Sequence, residues 1–395
     1  MKKIALTAVL LALAIQPALA QKKYDPGASD TEVKVGGSGP FSGPGSVAGQ
    51  LVKSVAAYFD MVNANGGING RKITYIAEDD AYQPPKALEV TRKMVEQDQV
   101  LFIGGSIGTP TQLAIRGYLN ENKIPQLFLS SGNRAFYDPK ISPWSLGNSP
   151  TNFTEGRLIG KYIEQAFAGK KIAVLYQNDD LGKDYLAGIK ETTGTKTQIV
   201  AAVSYEITDP TVDSQIATLQ ASGAEVFASF STPKATSQAI RRAFDTGWKP
   251  QIIIPLIVAQ IDGTLKPAGL DKAVGVISEV AIKDAADPQW AKDPDMIAFQ
   301  AWRTKYNSAV PDPALAASGY NSGYMISQVI KQAGDNLTRE NIMKQAANLK
   351  DVHPPMNLPG INVETTPDNF RLARKVQFQK FNGTNWELIG TPVSD

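Results

Sequence analysis

The chain has 395 residues, more than the roughly 250–300 that a single hydrophobic core usually serves, so two lobes are expected. Hydrophobic residues make up 43% and charged residues 20%, a globular composition that excludes a disordered or fibrous chain. Setting Lys2 and Lys3 aside with the leader leaves 38 basic against 38 acidic residues, a balance that argues against nucleic acid or any other polyanion as partner.

Lys2 and Lys3 precede the apolar run Ile4–Ile15, and Ala18-Leu19-Ala20 supplies a small-x-small cleavage site before Gln21. Residues 1–20 therefore read as a signal peptide cleaved after Ala20. The run is too short to span a membrane, and no later segment reaches about 18 uninterrupted apolar residues. The absence of cysteine excludes a lipid-modified cysteine and leaves stability to packing alone. The expected location is the periplasm, with the protein free in solution as a monomer.

Val33 and Val35 begin a strand that runs into a glycine-rich loop, Gly36 to Gly45. The loop lacks a following Lys-Ser/Thr and the G-x-G-x-x-G spacing, so it reads as a ligand-facing loop with Phe41 as an apolar wall, not as a phosphate cradle. Val47, Leu51, Val55, Phe59 and Val62 recur at helical spacing up to Asn65-Gly66-Gly67. A strand over Lys72–Ala77 leads to Asp79 and Asp80, where no histidine or third carboxylate completes a metal site and turn chemistry is the better reading. Pro84–Gln97 is an amphipathic helix.

The stretch from Val100 to Asn133 organises the rest. An apolar strand, Val100–Ile103, meets a small-residue loop, and a helix opens on Pro110 between Thr109 and Thr111; Pro suits a first helical position because it lacks an N–H that would be unpaired there. A second strand, Gln126–Leu129, ends in Ser130, Ser131, Gly132 and Asn133. Two such turns side by side aim backbone N–H groups and hydroxyls into one crevice at the carboxyl ends of parallel strands, and a helix start favours an anion. We read this as a seat for a carboxylate.

A second βα series follows: helix Pro150–Ala168, strand Lys171–Tyr176, helix 184–193, strand 198–203, helix 211–222, strand 225–230, helix 233–246, strand 251–254 and a returning strand Ala273–Val280. The texture then turns helical over 294–307, 313–333 and 338–347. Strands Lys375–Lys380 and Trp386–Ile389 close the chain around the hairpin signal Asn382-Gly383. Each βαβ connection demands parallel strands, so the fold class is α/β.

The segments Val35–Gly43, Asn65-Gly66-Gly67-Ile68-Asn69-Gly70-Arg71, Asp79-Asp80-Ala81, Ile103–Thr111 and Val174–Tyr185 resemble the type I periplasmic binding proteins, closest to the leucine/isoleucine/valine-binding relatives that serve ABC importers. The resemblance covers essentially the whole mature chain. It implies two Rossmann-like lobes, 30–149 plus 281–354 and 150–280 plus 355–392, closing over a ligand in the interlobe cleft. Three crossings form the hinge, near Gly147–Thr151, Val280–Lys283 and Asp351–Pro359. It also implies that Thr109, Pro110 and Thr111 with Ser130, Ser131, Gly132 and Asn133 hold the ligand's carboxylate. The partners it implies are the permease subunits of an ABC transporter.

Departures from the relatives matter more. Those that bind branched-chain amino acids place an acidic residue after the fourth strand of the second lobe; here the segment reads Ile254-Pro255-Leu256-Ile257-Val258-Ala259. Their aromatic in the preceding loop falls near Thr232, and a disulfide found in some begins where Tyr82 stands. An ammonium buried without a partner is costly, so the expected ligand is a hydrophobic carboxylate, aromatic acids such as benzoate or cinnamate first and aliphatic acids second. Lys140–Glu155 and His353–Ile361 look like the branch that collects such acids. Phe41, Phe153, Leu256 and Val258 are candidates to surround its apolar body, with Asn152, Asn178 and Thr232 for a distal polar group. Branched-chain amino acid binding and a sensory subunit on the same fold are the alternatives.

No nucleophile elbow, cysteine or metal-ligand cluster accompanies these residues, so neither enzyme activity nor a cofactor is expected. His353, the only histidine, reads as a loop residue among prolines, and Asp179-Asp180 as a loop pair whose adjacent carboxylates do not converge on one bond.

Overall fold

Two strand-helix series give two separate sheets. The computed structural model describes residues 22–42, 46–148, 150–206, 208–285, 287–372 and 375–395, so the leader and Gly43–Gly45 lie outside the described residues. The first sheet contains β1 (Glu32–Gly39), β2 (Lys72–Asp79), β3 (Phe102–Gly104), β4 (Gln126–Leu129) and β5 (Ser145–Gly147), all parallel in the order β2-β1-β3-β4-β5. Its helices are α1 (Gln50–Ala64), α2 (Pro84–Arg92) and α3 (Thr109–Glu121). On α1, Leu51, Val55 and Phe59 recur every fourth position and are all buried. The helix stops where Gly66 and Gly67 take φ of 95° and 75°, and Gly67 N–H returns to Val62 O at 2.9 Å. Three-residue β5 escaped the sequence reading, since three residues carry no period.

The chain then passes through α4 (Asn152–Ala166) into the second sheet. This contains β6 (Lys171–Gln177), β7 (Gln198–Tyr205), β8 (Val226–Phe230), β9 (Gln251–Ile254), β10 (Ile277–Val280), β11 (Lys375–Phe381) and β12 (Trp386–Ser394). Their order is β12-β11-β10-β9-β8-β6-β7; β6 to β10 are parallel, and the terminal hairpin is antiparallel. Helices α5 (Asp180–Thr192), α6 (Asp213–Ala221) and α7 (Pro233–Asp245) cover it. Both faces are dry: Ile172 and Val174 enter one core with Val226 and Phe230, while Ala173 and Leu175 enter the other with Phe227 and Ile254.

The later helices α8 (Pro294–Tyr306), α9 (Pro313–Ala333) and α10 (Arg339–Ala346) return to the first lobe. Small residues let α9 lie directly on α1: a Cβ at Gly319 would stand 2.5 Å from Leu51 O, and one at Gly323 2.5 Å from the Tyr58 ring. Tyr58, Phe299, Trp302 and Tyr320 interlock beside that contact, with centroid separations of 4.8–5.5 Å among Tyr320 and its three partners.

At the second crossing, Ala281 O accepts from Leu358 N and Lys283 N donates to Met356 O, so two segments run side by side between the lobes. Lys283 is buried there, with Nζ 2.8 Å from Asp293 and 3.3 Å from Asp295. At the third expected crossing, Leu358 and Ile361 cluster with Val280 and Ala281, and Leu388 packs against them. Val352 and Val363 pair antiparallel, and Met356, Val363, Phe370 and Leu372 all pack in the first core. His353 braces this hairpin through Nδ1 and Asn362 Oδ1, 2.9 Å apart.

Candidate functional site

The crevice lies where β3 and β4 end. Gly105 takes φ 70° and Gly108 φ 120°, conformations that side chains avoid, and α3 opens immediately on Thr109, with Pro110 in its first turn. Beneath, a buried polar chain fixes the strand ends. Ser38 N–H donates to Ser106 Oγ (3.0 Å), Gln112 reaches Ser38 Oγ (3.3 Å), Gln126 donates to Gln112 Oε1 (3.0 Å), and Ser145 donates to Gln126 Oε1 (2.8 Å). Such a chain, satisfied throughout, holds the loops in one register.

Thr109 Oγ1 and Ser131 Oγ lie 2.8 Å apart, so the two expected loops do meet. Tyr137 Oη donates to Ser131 O at 2.7 Å and pins the second loop from below. Ser130 is half-buried beside it. Gly132 is pressed against the start of α4: a Cβ would stand 2.2 Å from Asn152 Oδ1, and Asn152 N–H donates to Gly132 O at 3.2 Å. The side chain of Asn133 is spent locally, accepting from Ala135 N at 3.0 Å. Thr111 is fully buried, and its hydroxyl donates to Gly108 O at 3.1 Å. It lies inside the lobe, whereas Thr109 is half-buried at the crevice and Ser131 beside it is 5% exposed.

Asp79 and Asp80 build a turn beside the seat. Asp79 Oδ1 accepts from Phe41 N and Ala81 N, both at 2.8 Å, and Asp80 Oδ1 accepts from Tyr82 N at 2.9 Å. Partial burial works against the Asp79 charge, but Ser42, the Ala81 and Phe41 N–H groups and Lys86 outweigh it and hold its carboxyl well below the usual range. Asp80 is fully buried and pushed up. The turn carries Ala81 and Tyr82 at φ 48° and 60° and lays the Tyr82 ring against Gly108. Phe41 stands half-buried nearby, its ring 5.3 Å from Lys53 Nζ.

Opposite, the second lobe spends most of its polar groups on itself. Asn178 Nδ2 donates to Glu206 at 2.5 Å, and Thr232 caps α7, its N–H bound to Tyr205 Oη at 2.9 Å. Asp179 caps α5 through Gly182 N. Leu256 opens a short 3-10 turn and is half-buried, whereas Val258 at the end of that turn is 0% exposed inside the second core. Phe153 has Arg134 over one side at 4.8 Å and Arg157 at 5.9 Å. Arg134, from the first lobe, also reaches Asp184 of α5 at 2.7 Å, so one side chain spans the cleft mouth. Tyr82, Arg134 and Asp184 were not anticipated, although Arg134 directly follows the seat loop.

A family model described as periplasmic binding protein matches residues 32–385. The chain belongs to that family. Members bind small molecules between two lobes and work with ABC transporter permeases. Leu/Ile/Val-binding protein homolog 2 of Brucella abortus is 24% identical over 323 residues, covering 78% of this chain and 84% of the relative. Among solved structures, a branched-chain amino acid ABC transporter protein from Thermus thermophilus with bound valine superposes with a TM-score of 0.80 at 16% identity, covering 92% and 97% of the two chains. A fatty acid ABC transporter substrate-binding protein from Thermomonospora curvata does so with a TM-score of 0.74 at 20% identity, covering 95% of each. At those identities the likeness is one of fold.

Proposed function

We propose that this periplasmic binding protein captures a small hydrophobic carboxylate, an aromatic acid first and an aliphatic acid second, and delivers it to an ABC importer without turning it over. One contrast carries the reading: the first lobe offers the hydroxyl pair Thr109–Ser131 at a helix start, while the loop Leu256–Val258 opposite offers no carboxylate. An anionic head is thereby met and an ammonium is not. Thr109, Pro110, Ser130, Ser131 and Gly132 form the seat; Phe41, Tyr82 and Leu256 wall the apolar body. Thr111 and Val258 act as supports, since both are fully buried. Packing supports lobes of 30–149 with 281–372 and of 150–280 with 375–392. Residues 1–20 serve as the cleaved leader, and the mature protein acts as a monomer.

The names of relatives favour a second reading, branched-chain amino acid binding. A thermal-shift screen separates the two, because ligand at about a hundred times its dissociation constant adds roughly 2.7 kcal/mol of stability. Benzoate, cinnamate and octanoate are expected to raise the melting temperature, and leucine, isoleucine and valine are not. Strong stabilisation by leucine alone would overturn the carboxylate reading.

A further inference from the structure

Inside the second lobe, two carboxyl side chains that the cleft does not use face one another. Glu155, in the first turn of α4, is 1% exposed; Glu279, on β10, is 0% exposed. Each lies within hydrogen-bonding reach of the other. As two carboxylates they would have no proton to share, and both oxygens of Glu279 then lack any donor among the described residues. Glu155 is better served: Tyr185 Oη donates to its Oε2 at 2.9 Å, and the Leu256 backbone N–H lies beside it. Glu279 stands opposite Phe378 of β11, and its neighbour Ser278 stands opposite Ile254 of β9. Tyr185, from α5, stacks face to face on Phe230 with centroids 4.9 Å apart. Tyr185 thus brings a third titratable group to the pair, through its bond to Glu155. Two like charges in so dry a place cannot both persist.

The pair sits where three working parts converge. Thr151, which caps α4, ends the first crossing, and its carbonyl accepts from Glu155 N at 2.9 Å. Val280, next to Glu279, begins the second crossing. Leu256, whose N–H lies beside Glu155, opens the second-lobe loop that faces the seat.

We propose that Glu155 and Glu279 hold a single proton between them, and that this proton positions the cleft loop at Leu256, so that the order of that loop depends on pH. Neither residue touches ligand; both are positioning residues. Burial pushes both carboxyls up, Glu155 to about 7. Between the ordinary value of 4.5 and that raised value, the folded chain keeps a proton that the unfolded chain has lost. Stability from the pair is therefore fully present at low pH and is lost as pH rises through the raised value.

The test uses the mature full-length chain without ligand, so its outcome is independent of what the cleft binds. Wild type and Glu279→Gln are unfolded in urea from about pH 5 to 9, amide exchange is followed at Leu256, and the wild type is examined by infrared spectroscopy. One retained proton makes the wild-type unfolding constant rise about tenfold per pH unit. Glu279→Gln is expected to remove that slope and keep Leu256 protected at high pH, where the wild type loses protection. The wild type near pH 6 is expected to show the carbonyl stretch of a protonated buried carboxyl. Parallel stability profiles for wild type and Glu279→Gln would indicate mere packing and overturn the proposal. If the variant fails to fold, absence of the protonated-carboxyl band in the wild type overturns it equally.

Discussion

The two walls of the cleft are built on opposite plans. On the first-lobe side, Gly105, Gly108 and the hydroxyls of Thr109 and Ser131 come together, with a satisfied polar chain of Ser38, Gln112, Gln126 and Ser145 behind them. On the second-lobe side, Asn178, Asp179 and Thr232 turn their polar atoms back into their own lobe. In the proposed function the first wall is a set of fixed donors for a charge, and the second supplies shape. Preorganised donors are worth most because they need no rearrangement when the ligand arrives.

The sharpest way to break the contrast is to strip the donors from the first wall. In Thr109→Ala/Ser131→Ala, each lost charge-assisted hydrogen bond should cost roughly 1.5–3 kcal/mol, about one to two decades in affinity. Calorimetry with the best ligand of the thermal-shift screen measures this. Thr111→Ala should instead lower stability with little change in affinity; a hundredfold affinity loss there would move the seat inward. Next in size is Gly108→Ala. It forces φ 120° on a side chain and brings a Cβ within 2.6 Å of Thr111 Oγ1 and 3.1 Å of the Tyr82 ring. Strain of this kind costs about 1–3 kcal/mol, read as a lower denaturation midpoint together with weaker binding.

A smaller effect concerns the turn at Asp79. Its carboxyl is held below the ordinary 3.8, so its contribution is complete above that value and is lost as pH falls through the depressed one. Acid melts should show Asp79→Asn losing less stability than wild type over that range; identical acid limbs would mean that the turn does not depend on the charge. The smallest effect on stability is expected for Arg134→Ala. The pair with Asp184 is exposed on the arginine side, and such pairs contribute about 0–1 kcal/mol. Its signature should be faster ligand release in stopped flow, since the pair bridges the lobes.

Legibility followed the length scale of each signal. The alternation of apolar runs and helical periods announced both sheets, because strands such as Lys171–Gln177 are buried on both faces and read as continuous runs. The meeting of the two loops at Thr109 and Ser131 was legible too, as small polar residues just after strands. The extent of the third crossing was not legible: Met356, Val363, Phe370 and Leu372 pack in the first core at irregular spacing, with Leu358 and Ile361 beside Val280 and Ala281. Leu256-Ile257-Val258 could not reveal which of three apolar side chains turns inward. Glu155 in a first helical turn looks like ordinary solvated capping, and nothing local announces its partner on a distant strand.

The return of α8, α9 and α10 to the first lobe also dictates the order of assembly. The first core is incomplete without Phe299, Trp302, Met325 and Ile330, which the chain delivers only after the strands β6 to β10 of the second lobe. The second core in turn waits for Val376, Phe378, Phe381 and Trp386. Neither lobe is a contiguous unit that can finish while the rest of the chain is being made. A chain truncated before α8 would therefore lack the closing layers of both lobes at once, and the native state becomes reachable only when nearly the whole polypeptide is present.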